Sequence, residues 1–358
     1  MSQFRDITVL MSASSSPSMP GMIKCFKNVK ERNIRVVGVD MSDDPSAKFM
    51  VDAFYQVPAA SAPNYADIML DICKKEKVDV YFPNVSAEVS AVVARKDEFE
   101  ALGVKLSVSN MESVAISNNK LKTYEALEKA GIPVPRYYGV HTVEDFVEGM
   151  KYMGYPEKPV CIKIVDGSGS RGVRIIDSTK SRYDIFVKEK PNSFYISYDD
   201  MLSMLQSAPE PLHEMMLVEC MHGPEFTVDL LAEKGKALYI VGRNNVDSLM
   251  SIAQASVLQY DELAYKVSEQ VIDLLKMDGN VGFDFMRNDK EEAVLMDINP
   301  RITATISIMA AGGVNLPYLR VKQLLGEELP ECEPQFGTRI RRRYGEMFTD
   351  KDGNLIEF

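Results

Sequence analysis

Residues 159–176 read PVCIKIVDGSGSRGVRII, and the choice of fold turns on residues 167–172, GSGSRG. These six match G-x-G-x-x-G directly after an apolar strand, the fingerprint of a dinucleotide-binding turn. That turn needs a helix to open at its last glycine and an acidic partner about 20 residues on. Here the chain continues VRIID, a β-branched run with strand character, and no clear acidic partner stands at that distance. A phosphate loop of the G-x-x-x-x-G-K-[ST] kind fails too, because Arg171, Gly172 and Val173 occupy the places of its second glycine, lysine and hydroxyl residue. What remains is a glycine-rich turn between two strands, a flap whose backbone N–H groups can close over phosphates.

Working outward, the strand before the flap carries Lys163 within the apolar run CIKIV. Period two puts this cation on one face, and burying an ammonium without a partner costs several kcal/mol, so it meets either an anion or an internal carboxylate. A second cluster lies further on, with Asp284 in VGFDFMRN and Asp297, Asn299 and Arg301 in VLMDINPR. The last three recur at period two, which places them on one strand face, and the turn NDKEE makes a hairpin that brings Asp284 opposite Asp297. Two adjacent carboxylates repel unless one is protonated or a cation sits between them, and an all-oxygen set of Asp, Asp and Asn suits magnesium. A solvated hairpin is the bland alternative; the apolar Phe283, Phe285, Leu295 and Ile298 on the other face argue for a structured sheet.

The chain around these clusters has 358 residues, enough for two or three domains. Apolar runs at 6–11, 34–40, 78–83 and 104–108 alternate with helix-like stretches such as 64–77, which predicts a parallel sheet covered on both faces. The first turn, SASSSPSMPGM, leads into a helix whose N-terminus offers a place for an anion or a substrate carboxylate, with a solvated loop as the equal alternative. Asn118 is the expected cap of the helix KLKTYEALEKA, which stops at Gly131. The second half reads as strands at 159–165, 173–176, 216–219, 225–232, 237–241, 282–286 and 293–298, several joined by short turns, an antiparallel α+β pattern. The fold class is therefore an α/β parallel-sheet domain followed by α+β domains with antiparallel sheets, and no internal repeat is visible.

Composition narrows the function classes. A net charge of -11 disfavours a general nucleic-acid binder, and the one basic cluster, Arg339, Arg341, Arg342 and Arg343, reads as a solvated strand or subunit contact. No run approaches the roughly 20 apolar residues of a membrane span, and the N-terminus lacks the apolar region of a signal peptide. The five cysteines, Cys25, Cys73, Cys161, Cys220 and Cys332, are odd in number and unpaired in motif, which predicts reduced thiols and a cytoplasmic location.

Five ordered blocks resemble the ATP-grasp superfamily, most closely the branch of the carbamoyl phosphate synthetase large subunit and biotin carboxylase. They are NNKLKTYEALEKAGIPVPRYY (118–138), KPVCIKIVDGSGSRGVRII (158–176), MLVECMHGPEFTVDLLAEKG (216–235), GNVGFDFMRN (279–288) and MDINPRITATISIMAAGGVNLPYLRVKQLLG (296–326). The resemblance implies a domain before the ATP-grasp at 1–115, a lid subdomain with the glycine loop at 116–215, a metal and catalytic subdomain at 216–330, and a tail strand at 331–358. It implies that Lys120 and Lys163 touch the ATP phosphates and that the loop of Gly167, Ser168, Gly169, Ser170 and Gly172 is the mobile lid. Glu219, Cys220 and Met221 would form the linker that reads the adenine, and Glu225 would hold the ribose. Asp284 and Asp297 would bind magnesium or manganese with Asn299 assisting, and Arg301 would face the transferred phosphate. Arg243, in VGRNNVD, stands where a basic phosphate contact is expected. Two departures stand out: the usual glutamate before the asparagine is Asp297, and the first turn lacks the glycine pattern of relatives.

The implied reaction is ADP-forming ligation of a small-molecule carboxylate to an amine through an acyl phosphate, with Arg301, Lys163 and Asn299 at its centre. ATP is the cofactor, no nucleic acid or membrane is involved, and a homodimer is the protein partner this reading admits. Alternatives are a bicarbonate-activating enzyme of the carboxylase or carbamoyl phosphate type, and an ATP-binding sensor without turnover.

Overall fold

In the computed structural model the described residues are 4–356 except 168, 191, 222, 250, 251, 289 and 344. The first sheet is formed by β1 (Ile7–Met11), β2 (Ile34–Asp40), β3 (Ala53–Gln56), β4 (Val80–Phe82) and β5 (Lys105–Leu106), in the order β3-β2-β1-β4-β5. Every adjacent pair is parallel, as the alternating rhythm predicts. The central strands are buried on both faces, and for that reason their sequences are continuously apolar. One core cluster gathers Met11, Met19, Phe26 and Val36 with Met309 and Leu316, and a second gathers Leu10, Val37, Tyr65, Met69 and Phe99.

The second sheet has β6 (Tyr137–Val140), β7 (Val160–Ile164), β8 (Val173–Ile176), β9 (Tyr195–Ile196) and β10 (Met215–Glu219), ordered β6-β10-β7-β8-β9. Strands β7 and β8 pair antiparallel, Lys163 opposite Val173, so residues 167–172 do join two strands. The third sheet has β11 (Phe226–Glu233), β12 (Lys236–Leu249), β13 (Ile252–Leu258), β14 (Gly279–Arg287), β15 (Ala293–Asn299) and β16 (Arg339–Arg341), ordered β15-β14-β11-β12-β13-β16. The turn between β11 and β12 uses Lys234 at φ 48° and Gly235 at φ 86°, the left-handed pair of a tight hairpin.

The chain divides into two compact units, one made of Met1–Ala115, Glu225–Asp284 and Ile298–Phe358, the other of Ile116–Pro224 and Phe285–Asp297. In the second, Val140, Phe146, Met150, Ile162 and Leu217 form the core.

Three local readings change. The helix Lys120–Lys129 is capped by Asn119, whose side chain accepts from the Lys122 amide, because the chain turns one residue later than its first asparagine suggests. The basic tail is only partly solvated: β16 pairs with β13, and Arg342 is half-buried, donating to the carbonyls of Ala253 (2.9 Å) and Ala304 (2.7 Å). Strand β12 runs to Leu249, eight residues past the apolar run that signals it. The five thiols are free, three of them buried. No helix among the described residues is long and apolar enough to cross a membrane.

Candidate active site

In the second unit the helix that opens at Lys120 is tied to the end of β7 by the Lys120 amide, which donates to the Val165 carbonyl at 2.8 Å. This places the Lys120 ammonium 2.8 Å from the Gly167 carbonyl and 3.4 Å from Asp297 Oδ1. Lys163 is half-buried on β7 and, among the described residues, its ammonium makes no hydrogen bond or ion pair. The loop it precedes is sterically committed to glycine. A Cβ on Gly167 would meet Ile164 Cγ1 at 2.4 Å and the Arg171 carbonyl at 2.9 Å, while Gly172 has φ +68°. Ser168 lies outside the described residues; Gly169 and Ser170 both adopt left-handed backbone, φ 62° and 59°.

Glu219 ends β10 with its carboxylate turned to β6, where Oε1 accepts the Arg136 amide at 2.8 Å. The side chain thereby braces the edge of the sheet. Cys220 follows with a thiol pushed up to about 11 by burial, and Met221 is half-buried. His213, which lies outside the sequence blocks, places Nε2 2.7 Å from Oδ1 of Asp166, the residue before the glycine loop.

In the first unit a polar face builds up on the third sheet. Asp284 on β14 accepts from Thr227 Oγ1 at 2.8 Å and from Asn299 Nδ2 at 3.0 Å. Arg301 donates to Asn299 Oδ1 at 3.1 Å and to the Ile302 carbonyl at 3.0 Å. Arg243 on β12 is buried, and its guanidinium donates to Asp229 at 3.3 Å and to Asn245. Asp229 also accepts from Thr303 at 2.6 Å; burial raises its carboxyl above the ordinary value, opposed by the Arg243 charge and the Thr303 bond. Glu225 is exposed, and its Oε1 receives the Asn245 amide at 2.5 Å.

Asp284, Asn299 and Arg301 are thus brought together, as are Lys120, Gly167 and Asp297. Thr227, Asp229, Asn245 and Thr303 went unread. The signal was present: Glu225, Thr227 and Asp229 recur at period two along EFTVD, the spacing that singled out Asp297, Asn299 and Arg301.

The donor set fits magnesium rather than a softer ion. Asp284 and Asn299 offer hard oxygens, and among the described residues no group of three or more His, Cys, Asp and Glu is placed to hold a metal by itself. Magnesium is normally bound by one or two carboxylates together with phosphate oxygens and water, which matches so sparse a protein set.

The first turn does not offer the anion site its sequence suggests. At the start of the helix Met19–Lys27, the Met19 amide donates to the Ser16 carbonyl, those of Gly21 and Met22 donate to Ser18, and Pro20 has no N–H. These donors are already spent.

Comparison with known proteins supports the same fold. Residues 211–345 match the family described as ATP-grasp in the biosynthetic pathway with Ter operon, and residues 18–107 match the PylC-like N-terminal domain. The carbamoyl phosphate synthase large chain of Clostridium acetobutylicum is 24% identical over 281 residues, 75% of this chain and 24% of that one. Its Campylobacter jejuni counterpart is 23% identical over 343 residues, covering 89% of this chain and 29% of that one. The chain therefore spans about a quarter of the length of these curated relatives. Among solved structures, an ADP complex of N5-carboxyaminoimidazole ribonucleotide synthetase superposes with TM-score 0.65 at 15% identity, covering 92% of this chain and 79% of that one. A Campylobacter jejuni biotin carboxylase gives 0.66 at 14%, covering 91% and 73%. An L-amino acid ligase of Bacillus licheniformis gives 0.62 at 14%, covering 93% and 78%.

The architecture is the ATP-grasp fold, a parallel-sheet domain followed by sheets with antiparallel strands. The chain thus carries an ATP-grasp domain over residues 211–345 and a PylC-like N-terminal domain over residues 18–107.

Proposed function

We propose that this protein is an ADP-forming ligase that activates a small-molecule carboxylate with magnesium ATP and joins it to an amine. The carrying observation is the hydrogen-bonded set of Asp284, Asn299 and Arg301, two oxygen ligands with a guanidinium beside them. Lys163 and Lys120 are the proposed phosphate contacts, the loop 167–172 the lid, the edge of 219–221 the adenine reader and Glu225 the ribose partner. Asp284, Asp297 and Asn299 would hold the metal, which when bound neutralises charge on the phosphate oxygens.

In the first step the substrate carboxylate attacks the terminal phosphorus and ADP leaves, giving an acyl phosphate. The amine then attacks the acyl carbon and phosphate leaves. Neither step needs a nucleophilic side chain. Arg301 is the proposed electrostatic partner of the phosphoryl oxygens, and release of Asn299 Oδ1 is what would free its Nη2 donor for them.

A second reading, bicarbonate as the activated acid, is favoured by the relatives named carbamoyl phosphate synthase and biotin carboxylase. The test is a matrix of carboxylates, bicarbonate included, against amines, read by ADP release and product mass, with hydroxylamine as a trap. A carboxylate-dependent ADP signal and an acyl hydroxamate are expected. AMP and pyrophosphate as products would replace the acyl phosphate by an adenylate.

A further inference from the structure

We propose that Asn245 is a positioning residue that couples the ribose partner Glu225 to the metal ligand Asp284 through Thr227. This rests on the ligand roles given above for Glu225 and Asp284, and it adds Asn245 and Thr227 to them. Asn245 lies on β12 at 7% exposure, among Thr227 at 0%, Ser256 at 2% and Arg243 at 4%, so water competes little for its bonds.

The direction of each hydrogen bond is fixed by what each group can do. Arg243 can only donate, and it donates to Asn245 Oδ1; Ser256 Oγ donates to the same oxygen at 2.9 Å. The amide therefore cannot flip. Its two N–H groups face Glu225 Oε1 at 2.5 Å and Thr227 Oγ1 at 3.1 Å. Thr227, accepting from Asn245, has one proton left, and it points at Asp284 Oδ1, 2.8 Å away. Asn299 Nδ2 covers Oδ2 at 3.0 Å. Asp284 thus accepts on both oxygens and is held in a fixed orientation.

A tug on Glu225 by a ribose hydroxyl passes to Asp284 through three hydrogen bonds, one between Glu225 and the Asn245 amide and two from that amide through Thr227. The nucleotide and metal sites are set together. This also assigns Arg243, whose donors go to Asp229 and Asn245, a supporting place behind Asn245.

The experiment measures binding and needs no turnover. Manganese affinity is determined by electron paramagnetic resonance with saturating ATP and with saturating 2′-deoxy-ATP, and nucleotide affinity without metal by calorimetry. The wild type should bind manganese several-fold more tightly with ATP than with the deoxy nucleotide. Asn245→Leu should abolish that difference and weaken manganese on the order of tenfold, the usual scale for a lost supporting bond. Thr227→Val should weaken manganese similarly while leaving metal-free ATP affinity unchanged, and Thr227→Ser should restore it. These two variants keep the test alive if Asn245→Leu fails to fold. A wild type with equal manganese affinity in both nucleotides, or a folded Asn245→Leu that keeps the difference, overturns the coupling alone. A wild type that binds no ATP overturns the ligase reading as well.

Discussion

Strands β7 and β12 each carry a cation at least partly withdrawn from solvent, and the structure treats the two in opposite ways. Arg243 on β12 is buried and engaged by Asp229 and Asn245. Lys163 on β7 is half-buried and has no such partner among the described residues. A buried ion pair is costly to form and costlier to break, so Arg243 belongs to the architecture of its unit. A cation left without a partner beside a glycine loop is free to serve a ligand.

The contrast can be broken by removing each charge. Arg243→Met leaves Asp229 buried with its main counter-charge gone, and it should lose about 3–5 kcal/mol of stability in urea unfolding. A loss under about 1 kcal/mol would show that Thr303 alone satisfies Asp229. Lys163→Met should change stability by no more than about 1 kcal/mol while removing measurable ATP binding in calorimetry. A folded variant with unchanged ATP affinity would move Lys163 to the structural side.

Arg301→Ala stands between the two cases, since this guanidinium is hydrogen-bonded yet proposed to act on substrate. Its turnover should fall on the order of a hundredfold to a thousandfold with ATP affinity nearly intact. Unchanged turnover would remove Arg301 from the chemistry.

Gly282→Ala probes the packing behind Asp229. The new Cβ would sit 2.1 Å from Thr303 Cγ2 and 3.3 Å from Asp229 Oδ1, so Thr303 must retreat. Thermal unfolding should show a loss of about 1–3 kcal/mol, the scale of overpacking. A neutral result would mean that the loop after β15 adapts without cost.

The smallest effect expected is a pH dependence in the parallel-sheet domain. Glu88 is buried in the first turn of the helix Ser86–Val93 and accepts from Tyr65 at 2.5 Å, from Ser12 and Tyr81, and from the Asn84 amide at 3.2 Å. Burial raises its carboxyl above 4.5 despite these bonds. An acid whose folded value lies above its unfolded value binds more protons in the native state between the two, so stability falls as pH rises through that window. Glu88→Gln should remove this slope in unfolding curves taken from pH 4 upward. A slope that persists in the variant would assign it to another group.

The parallel sheet was the easiest part to read, because strands buried on both faces are apolar at every position. Strand β12 was legible only in its first apolar residues. The stretch from Arg243 to Ser248 is polar and looks like a loop, yet it is a strand because hydrogen bonds from Arg243, Asn245 and Ser256 replace apolar packing. Strand β13, IAQASVL, was passed over for a related reason, since its small buried residues Ala253 and Ala255 carry little hydrophobic signal.

By itself the sequence determined the fold class and, through period two, the strand face shared by Asp297 and Asn299; the expected strand does not reach Arg301, because β15 ends at Asn299 and Arg301 lies in the bend after it. The sequence also excluded a dinucleotide turn at 167–172, since a local run of β-branched residues cannot open the required helix. Only the tertiary structure decided which polar groups meet. Periodicity sets the side of a strand on which a residue lies, whereas its partner comes from another strand whose register depends on the whole sheet. Thr227 reaches Asp284 across 57 residues of chain and Thr303 reaches Asp229 across 74. That pairing is why Arg243 is enclosed and Lys163 is left open, a difference that their places in the sequence could not show.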